Sequence, residues 1–328
     1  MEIRKKSLLA EQYGSADRVI LATSPELVFM NALCAGDIDA ALALFAEEKL
    51  FGKTPVVVDA PQGRYVGKEA IRQFAAGWLP LFRADYARVV PVVQTRANGR
   101  SVLELEVHFV VDGAIEQVPM LIVGDLRTPS LLDELRIYFH FTHVPALTGY
   151  RQPMFSSTYL EMGEPALLTG AVREYYEAIH HIPAIDVDRA MDAMAEGCKF
   201  GGYDPVGKEV HLNVSRPELR AKYEKMAGYI PRRVGMRYET IIDDNTTCVI
   251  EWVHIVSDAG REEAGRVCLS GVAAYERGPD GRLCAIRISD YAGFEQEIDW
   301  TKTPISKEEA FAINAVEEFP PHASYAKK

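Results

Sequence analysis

The sequence predicts an α+β fold that occurs twice in tandem. In each half, segments with helical periodicity come first, and long runs of alternating apolar and polar residues follow them. No helical segment lies between those runs, which is typical of helices packed against one antiparallel sheet. The chain has 328 residues, and that length suits two domains of about 150 residues each.

Three helices are predicted in the first half. Ser24 precedes a proline at a helix start, because Ser is a favoured N-cap and Pro fits the first helical position. Gly36 ends this helix and Asp37 caps the next one. A loop is predicted over 52–66, where Pro and Gly are frequent, and a third helix over 68–81.

The second half repeats this order of helices and strands. Its helices are predicted over 171–182 and 186–196, and a third begins at the capping box formed by Ser215 and Glu218. Strands are predicted over 88–95, 101–111, 116–126 and 132–144 in the first half, and over 235–243, 246–257, 262–277 and 283–294 in the second.

Short matching segments indicate an internal duplication. Asp37 matches Asp186, and Arg136 matches Arg287, at offsets of 149 and 151 positions. The alternative is chance similarity between segments of the same structural propensity. The predicted organisation is an N-terminal extension over 1–23, a first domain over 24–145, a linker over 146–164, a second domain over 165–300 and a tail over 301–328, with a short helix at 307–317.

Composition excludes several classes of protein. The chain has 36 Lys and Arg against 47 Asp and Glu, so its net charge of -11 argues against a nucleic-acid or anionic-membrane partner. No apolar stretch is long enough to span a membrane. The five cysteines lack metal or redox spacing and predict reduced thiols in a cytoplasmic protein. No nucleotide, flavin or metal motif occurs, so neither a cofactor nor a metal is expected.

The segment AGDIDAALALFAEE, followed by YVGKEAIRQF, resembles the nuclear transport factor 2-like superfamily, and in particular its branch of ketosteroid isomerases and SnoaL-like polyketide cyclases. The resemblance covers roughly 24–145 and 165–300. It implies two cone-shaped domains, each with three helices on a curved antiparallel (mixed) sheet around an apolar pocket. It also implies an intramolecular pseudo-dimer and leaves a further homo-oligomer open. Ketosteroid isomerase-like enzymes move a proton without a cofactor.

The resemblance assigns roles to residues of the second half. Such enzymes need a carboxylate base and neutral donors that stabilise an oxyanion. Tyr175 matches the donor on the first helix, and Asp204 in the segment 203–207 (Tyr-Asp-Pro-Val-Gly) matches the base. Counted from Asp186, this segment is two residues longer than in the family, but a shift of two keeps the same strand face. The alternative is that Asp204 only opens a turn.

This sequence departs from the family pattern at the position of the second acid, where Ala273 stands. Asp290 is the candidate replacement, because it alternates with Ile286 and Ile288 on the last strand. An acid there needs a partner or a raised pKa. The alternative is an edge Asp that bonds solvent or a turn.

His254 is a further candidate, since it shares a strand face with Cys248, Ile250 and Trp252 and its charge can change near neutral pH. The alternative is a satisfied core histidine. The predicted site residues are Asp204, Tyr175, Asp290 and His254 for catalysis, and Trp252, Ile288, Ile286 and Tyr203 for substrate binding.

The first half offers a poorer site. Phe29 occupies the tyrosine position, and the stripe 135–139 matching the last strand carries no carboxylate. Asp59, in the predicted loop, could reach the pocket. We therefore predict a structural or substrate-shaping first domain, and the alternative is a site at Tyr138 and His140.

The sequence thus predicts a cofactor-independent proton-transfer enzyme acting on an apolar, polycyclic or aromatic small molecule. Isomerase, dehydratase or lyase, and cyclase chemistry all begin with such a step. The alternative is a non-catalytic small-molecule-binding or scaffold protein, because fold does not fix function. A weaker reading is epoxide hydrolysis by paired carboxylates.

Overall fold

The computed structural model describes residues 20–46, 56–82, 88–111, 113–139, 167–179, 185–204, 209–227, 233–257 and 266–289. Within these ranges, side chains are described except at 116, 202–204, 209–213, 226, 233–238, 253–257 and 266–270. The chain divides into two compact units, Met1–Arg151 and Gln152–Lys328.

The described part of the first unit contains three helices and six strands. The helices are α1 (Pro25–Ala35), α2 (Ile38–Ala43) and α3 (Lys68–Trp78), and a 3₁₀ turn (Leu79–Leu81) continues α3. The strands are β1 (Val57–Ala60), β2 (Gly63–Val66), β3 (Arg88–Ala97), β4 (Arg100–Val111), β5 (Ala114–Thr128) and β6 (Leu131–Phe139).

The described part of the second unit contains the same kinds of element in the same order. The helices are α4 (Gly170–Ile179), α5 (Val187–Asp192) and α6 (Arg216–Ala227). The strands are β7 (Met194–Asp204), β8 (Glu209–Val214), β9 (Arg233–Asp243), β10 (Thr247–Ser257), β11 (Arg266–Arg277) and β12 (Leu283–Ser289).

Each unit forms one mixed sheet from its described strands. The order is β2-β1-β6-β5-β4-β3 in the first unit and β8-β7-β12-β11-β10-β9 in the second. The last four strands of each unit run antiparallel, as their alternating sequences predict, whereas β1 pairs with β6 in parallel and β7 pairs with β12 in parallel. The α+β class predicted from the sequence is therefore present in both units.

The second helix of each unit begins with the same kind of cap. The carboxylate of Asp37 accepts a hydrogen bond from the Ala40 amide at 2.9 Å, and Asp186 accepts one from the Arg189 amide at 3.1 Å. Both aspartates satisfy an amide that the first helical turn leaves without a partner. Gly36 ends α1 with a φ of 76°, a conformation that glycine adopts without strain.

The two faces of each sheet differ in chemistry. In β4, Leu103, Leu105 and Val107 pack into the core beneath the helices, while Glu106 and His108 lie on the opposite face. We call these the helix-facing side and the outer side. Strand residues alternate between the two because successive side chains point to opposite faces.

Buried ion pairs occupy the outer side at matching places. The guanidinium of Arg136 on β6 bonds the carboxylate of Asp125 on β5, and Arg287 on β12 bonds Glu276 on β11 with an Nη1–Oε2 distance of 2.9 Å. In both pairs the partners are 11 positions apart. Arg136 also lies 3.5 Å from Glu134.

Two sequence expectations are wrong. The loop predicted over 52–66 contains β1 and β2, and the helix predicted to reach Glu196 ends at Asp192, where β7 soon follows. The parallel pairing with β6 and β12 stabilises these segments, and such distant pairing leaves no local sequence signal. The predicted linker and the tail helix lie outside the described residues.

None of the helices in the described ranges has both the length and the apolar character needed to cross a membrane.

Candidate active site in the second unit

Four buried tyrosines lie together on the helix-facing side of the second sheet. Tyr175 and Tyr176 come from α4, Tyr223 from α6 and Tyr275 from β11. We call them the tyrosine cluster. On α6, Tyr223 follows Leu219 by four positions, and both are buried because that spacing places them on one helix face.

Ring packing and one hydrogen bond define the geometry of the cluster. The centroid of the Tyr175 ring lies 6.3 Å from that of Tyr223 and 5.6 Å from that of Tyr275. Tyr176 meets Tyr275 edge-on at 5.9 Å. The hydroxyls of Tyr175 and Tyr223 form a hydrogen bond in which either can be the donor.

The phenol of Tyr175 is held in its neutral form. Burial raises the pKa of Tyr175 well above its usual value, and the neighbouring Tyr223 and Tyr275 raise it further. The residue itself is fully shielded from solvent. A neutral phenol in such a place is a hydrogen-bond donor, and a donor already in position stabilises developing negative charge on an oxygen.

The surroundings of the cluster are apolar. Trp252, Ile286 and Ile288 pack in the same core as Tyr175, so the structure brings together one of the predicted catalytic residues and three of the predicted substrate-binding residues. Ala273, which stands where the family has its second acid, is also in this core.

The remaining predicted site residues are placed only in part. The backbones of Tyr203 and Asp204 end β7 and pair with Val210 and Glu209 of β8, but their side chains are outside the described set. His254 lies on β10 opposite Leu269, also with its side chain undescribed, and Asp290 lies beyond the described residues. Their roles stay predictions.

Sequence reasoning missed Tyr223, which provides the second hydroxyl. The available signal was the apolar pair Leu219 and Tyr223 at helical spacing, but the highly charged sequence of α6 obscured it. Tyr275 was missed as well, although it contacts Tyr175 directly.

The chemistry of the hydroxyl pair suits an oxygen ligand. A phenol hydroxyl donates hydrogen bonds of the kind that carbonyl, phenol and enolate oxygens accept, and the structure places two such hydroxyls together. In a dry, apolar core such a donor acts more strongly than in water.

The core of the first unit is aromatic at the corresponding place. Phe29 packs edge-on against Phe45 with centroids 5.8 Å apart, and Trp78 lies 5.7 Å from Phe139. The predicted stripe Leu135, Ile137 and Phe139 is part of this core. The described core therefore offers aromatic and aliphatic side chains where the second unit offers phenol hydroxyls.

The expectations for polar groups in the first unit need correction. Asp59 is in β1 rather than a loop, and its carboxylate binds Arg64 with an Nη1–Oδ2 distance of 2.9 Å on the outer side. Tyr138 alternates with Ile137 and Phe139 and so lies on the outer side too, away from the helices. His140 lies outside the described residues.

One carboxylate does enter the first core, and it comes from α1 and not from the stripe 135–139. Glu26, in the first turn of α1, is fully buried, and an added Cβ at Gly124 would lie 2.5 Å from its Oε1. Neither oxygen has a well-formed hydrogen bond in the described structure. Burial raises its pKa, while the nearby Ser101, Arg96 and Ser24 lower it.

No group of three His, Cys, Asp or Glu side chains within the described ranges is arranged to hold a metal ion.

No protein-family model matches the sequence, and no curated protein matches it significantly. Solved structures match parts of the chain. A protein with a ketosteroid isomerase-like fold from Catenulispora acidiphila, in complex with trimethylamine, is 16% identical, and the match covers 38% of this chain and 90% of that one with a TM-score of 0.32.

Two further solved structures give similar matches. A candidate polyketide cyclase from Sinorhizobium meliloti is 17% identical over 34% of this chain and 92% of its own, with a TM-score of 0.27. A protein from Kribbella flavida is 19% identical over 37% of this chain and 90% of its own, with a TM-score of 0.29.

The matching structures are nuclear transport factor 2-like, ketosteroid isomerase-like and polyketide cyclase proteins. They are the kinds of protein that the sequence resembles.

Proposed function

We propose that the second unit binds an apolar small molecule in its interior and transfers a proton on it without a cofactor. The observation that supports this most is the hydrogen-bonded hydroxyl pair of Tyr175 and Tyr223, buried in an otherwise apolar core. Burying polar groups is costly unless they are paired, so a pair kept there has a use in binding an oxygen.

The proposed reaction begins with proton abstraction from a carbon next to a carbonyl. Asp204 takes the proton, and the carbonyl oxygen, which gains negative charge, accepts a hydrogen bond from the tyrosine pair. Asp290 and His254 are the proposed second acid and proton relay. Trp252, Ile286, Ile288 and Tyr203 would contact the apolar body of the substrate.

Three outcomes are compatible with that first step. Return of the proton to another carbon isomerises the substrate, loss of a leaving group makes the enzyme a dehydratase or lyase, and attack of the carbanion on a second carbonyl closes a ring. All three suit a polycyclic or aromatic substrate, because the described core around the tyrosine pair is aliphatic and aromatic.

We also propose that the two units are tandem copies of one domain, with the boundaries predicted from the sequence. Three matched contacts support this: the aspartate caps, the outer-side ion pairs, and the pairs Asp39–Arg72 and Asp188–Arg220. The pseudo-dimer, the absence of a cofactor and the cytoplasmic location remain part of this proposal.

A proton-exchange experiment tests the proposed activity. The protein is incubated in D₂O with a panel of polycyclic enones and aromatic ketones, and exchange at the carbon next to the carbonyl is followed by NMR. We expect Asp204→Asn to lower the exchange rate about 100-fold or more, since general-base catalysis contributes at least that much. Asp188→Asn, which changes an exposed carboxylate, is the matched control.

Normal exchange by a folded Asp204→Asn protein would show that Asp204 is not the base. A second candidate function has its own support: Ala273 stands in the second core where the family has its second acid. A non-catalytic binding or scaffold protein would then bind the panel, or leave it unbound, without exchange in any variant.

A further inference from the structure

The parallel pair of β7 and β12 contains a wide bulge with a thiol on each strand. Leu283 pairs with Met194, and the next pair is Ala285 with Lys199. Four residues of β7, ending with Cys198, therefore face a single residue of β12, Cys284. Both cysteines are free thiols.

Strand alternation places the two thiols on the same face and at the same level. Ile286 pairs with Phe200, and both side chains belong to the helix-facing core. Cys284 and Cys198 are two positions earlier on their strands, and Cys198 packs in that core. Because a step of two keeps a side chain on its face, Cys284 points to the same side.

The expected distance suits a covalent bond. Neighbouring strands lie about 4.8 Å apart, and the Cα atoms of a disulfide are usually about 4.4–6.8 Å apart. The charge of Cys284 acts on Cys198 more strongly than that of any other charged or titratable group, which agrees with close contact.

A surface groove lies beside the bulge. It is lined by Glu196, Gly197, Cys198, Lys199, Val214, Ser215, Arg216 and Pro217, so it gives reagents access to the pair on the Cys198 side. Cys284 is partly exposed.

We propose that Cys198 and Cys284 form a reversible disulfide that joins β7 to β12 when the protein meets a low-molecular-weight disulfide. The Cys284 thiolate attacks one sulfur of the reagent, forms a mixed disulfide and releases one reagent thiolate. The Cys198 thiolate then attacks the Cys284 sulfur and releases the second one. The protein loses two hydrogens and two electrons, and the reagent is reduced to two thiols.

The environment of Cys198 determines the rate of the second step, in which its thiolate attacks the mixed disulfide. Burial raises the pKa of its thiol to about 12, the neighbouring Cys284 and Glu276 raise it, and Arg287 and Arg216 lower it. Because only the thiolate reacts, closure is slow at neutral pH and accelerates about tenfold per pH unit on the alkaline side.

The full-length protein is treated with oxidised glutathione at pH 9, the remaining thiols are blocked with iodoacetamide, and the digest is analysed by mass spectrometry. We expect the Cys198 and Cys284 peptides to be linked, two hydrogens lighter than their sum, and separated again by dithiothreitol. Cys198→Ala and Cys284→Ala should each abolish the link, whereas Cys34→Ala, in the first unit, should retain it.

Near-ultraviolet circular dichroism establishes that each variant is folded. The proposal is overturned if both thiols of the folded wild-type protein stay open to iodoacetamide after oxidation, or if either links to a different cysteine. The cysteine pair involves neither Tyr175 nor Asp204, so failure of the proposed proton transfer leaves the disulfide proposal standing.

Discussion

At the scale of single residues, the second core stands out because its polar groups are phenols. Tyr175 and Tyr223 form a hydrogen bond across two helices, and burial raises the pKa of Tyr175 so that its phenol stays neutral. A carboxylate at the same place would need a counter-charge or a strongly raised pKa. A phenol can therefore be buried without a counter-charge and can still form hydrogen bonds.

Tyr175→Phe removes one hydroxyl and leaves the ring packing in place. We expect the affinity for a phenolic probe, 2-naphthol, to fall about 10-fold, since one donated hydrogen bond to an oxygen contributes about 1–2 kcal/mol. Fluorescence titration measures the affinity. Tyr176→Phe is the control, because its ring packs beside Tyr275 without bonding Tyr175 through its hydroxyl, and equal losses in both variants would contradict the proposed site.

Glu26 is the residue of the first unit with the most unusual environment. Its pKa in the folded protein is raised above the usual 4.5, chiefly by burial. The folded state therefore favours the protonated acid. Its contribution to stability is fully present below the unfolded pKa and is lost as the pH rises through the folded pKa.

Glu26→Gln keeps the shape but cannot ionise. We expect this variant to be more stable than the wild type at pH 7.5 and no more stable at pH 4, as measured by urea unfolding at both values. Glu69→Gln, which changes an exposed acid on α3, should show no such divergence. A stability difference that is independent of pH would contradict a raised pKa of Glu26 in the folded protein.

At the scale of elements, the short helices α2 and α5 depend on their first residues. Each has six residues, too few for a stable isolated helix, and each begins with an aspartate that accepts an amide hydrogen bond. The cap thus fixes where the chain turns between the first and third helices of its unit.

Asp37→Ala and Asp186→Ala should each lower the free energy of unfolding by about 1 kcal/mol, the usual contribution of such a cap. Chemical denaturation of the full chain measures both. Asp39→Ala and Asp188→Ala remove neighbouring acids whose arginine partners are partly exposed, and such surface pairs contribute less. Equal effects of all four variants would argue against the caps.

At the scale of the whole molecule, buried charge recurs on the outer side of each sheet. Arg136 forms ion pairs with Asp125 and Glu134, and Arg287 forms one with Glu276. A buried ion pair adds little net stability when intact, but removal of one partner leaves an uncompensated charge. In both units, these buried charges therefore depend on their partners across neighbouring strands.

Arg287→Met should destabilise the protein by about 3–5 kcal/mol, because it removes the arginine that binds the buried Glu276. A smaller loss is expected for Arg136→Met, because Arg100 still binds Asp125 and Arg64 still binds Glu134. Thermal and urea unfolding of the two variants measure the difference. Near-neutral effects would mean that water reaches these carboxylates.

The sequence by itself determined the features that depend on neighbouring residues. The caps at Asp37 and Asp186, the start of α3 at Lys68 and the long strands from Arg88 onward follow from local chemistry and from periodicity. Tyr175 was also predicted, because the resemblance places a donor tyrosine on the first helix of the domain.

Only the tertiary structure decided what depends on residues far apart in the chain. Strands β1 and β7 exist because they pair with β6 and β12, Tyr223 meets Tyr175 across 48 positions, and Glu26 is buried because Gly124 leaves space for it. Each of these requires two segments to be brought together by the packing of the core, and no window of sequence contains both partners.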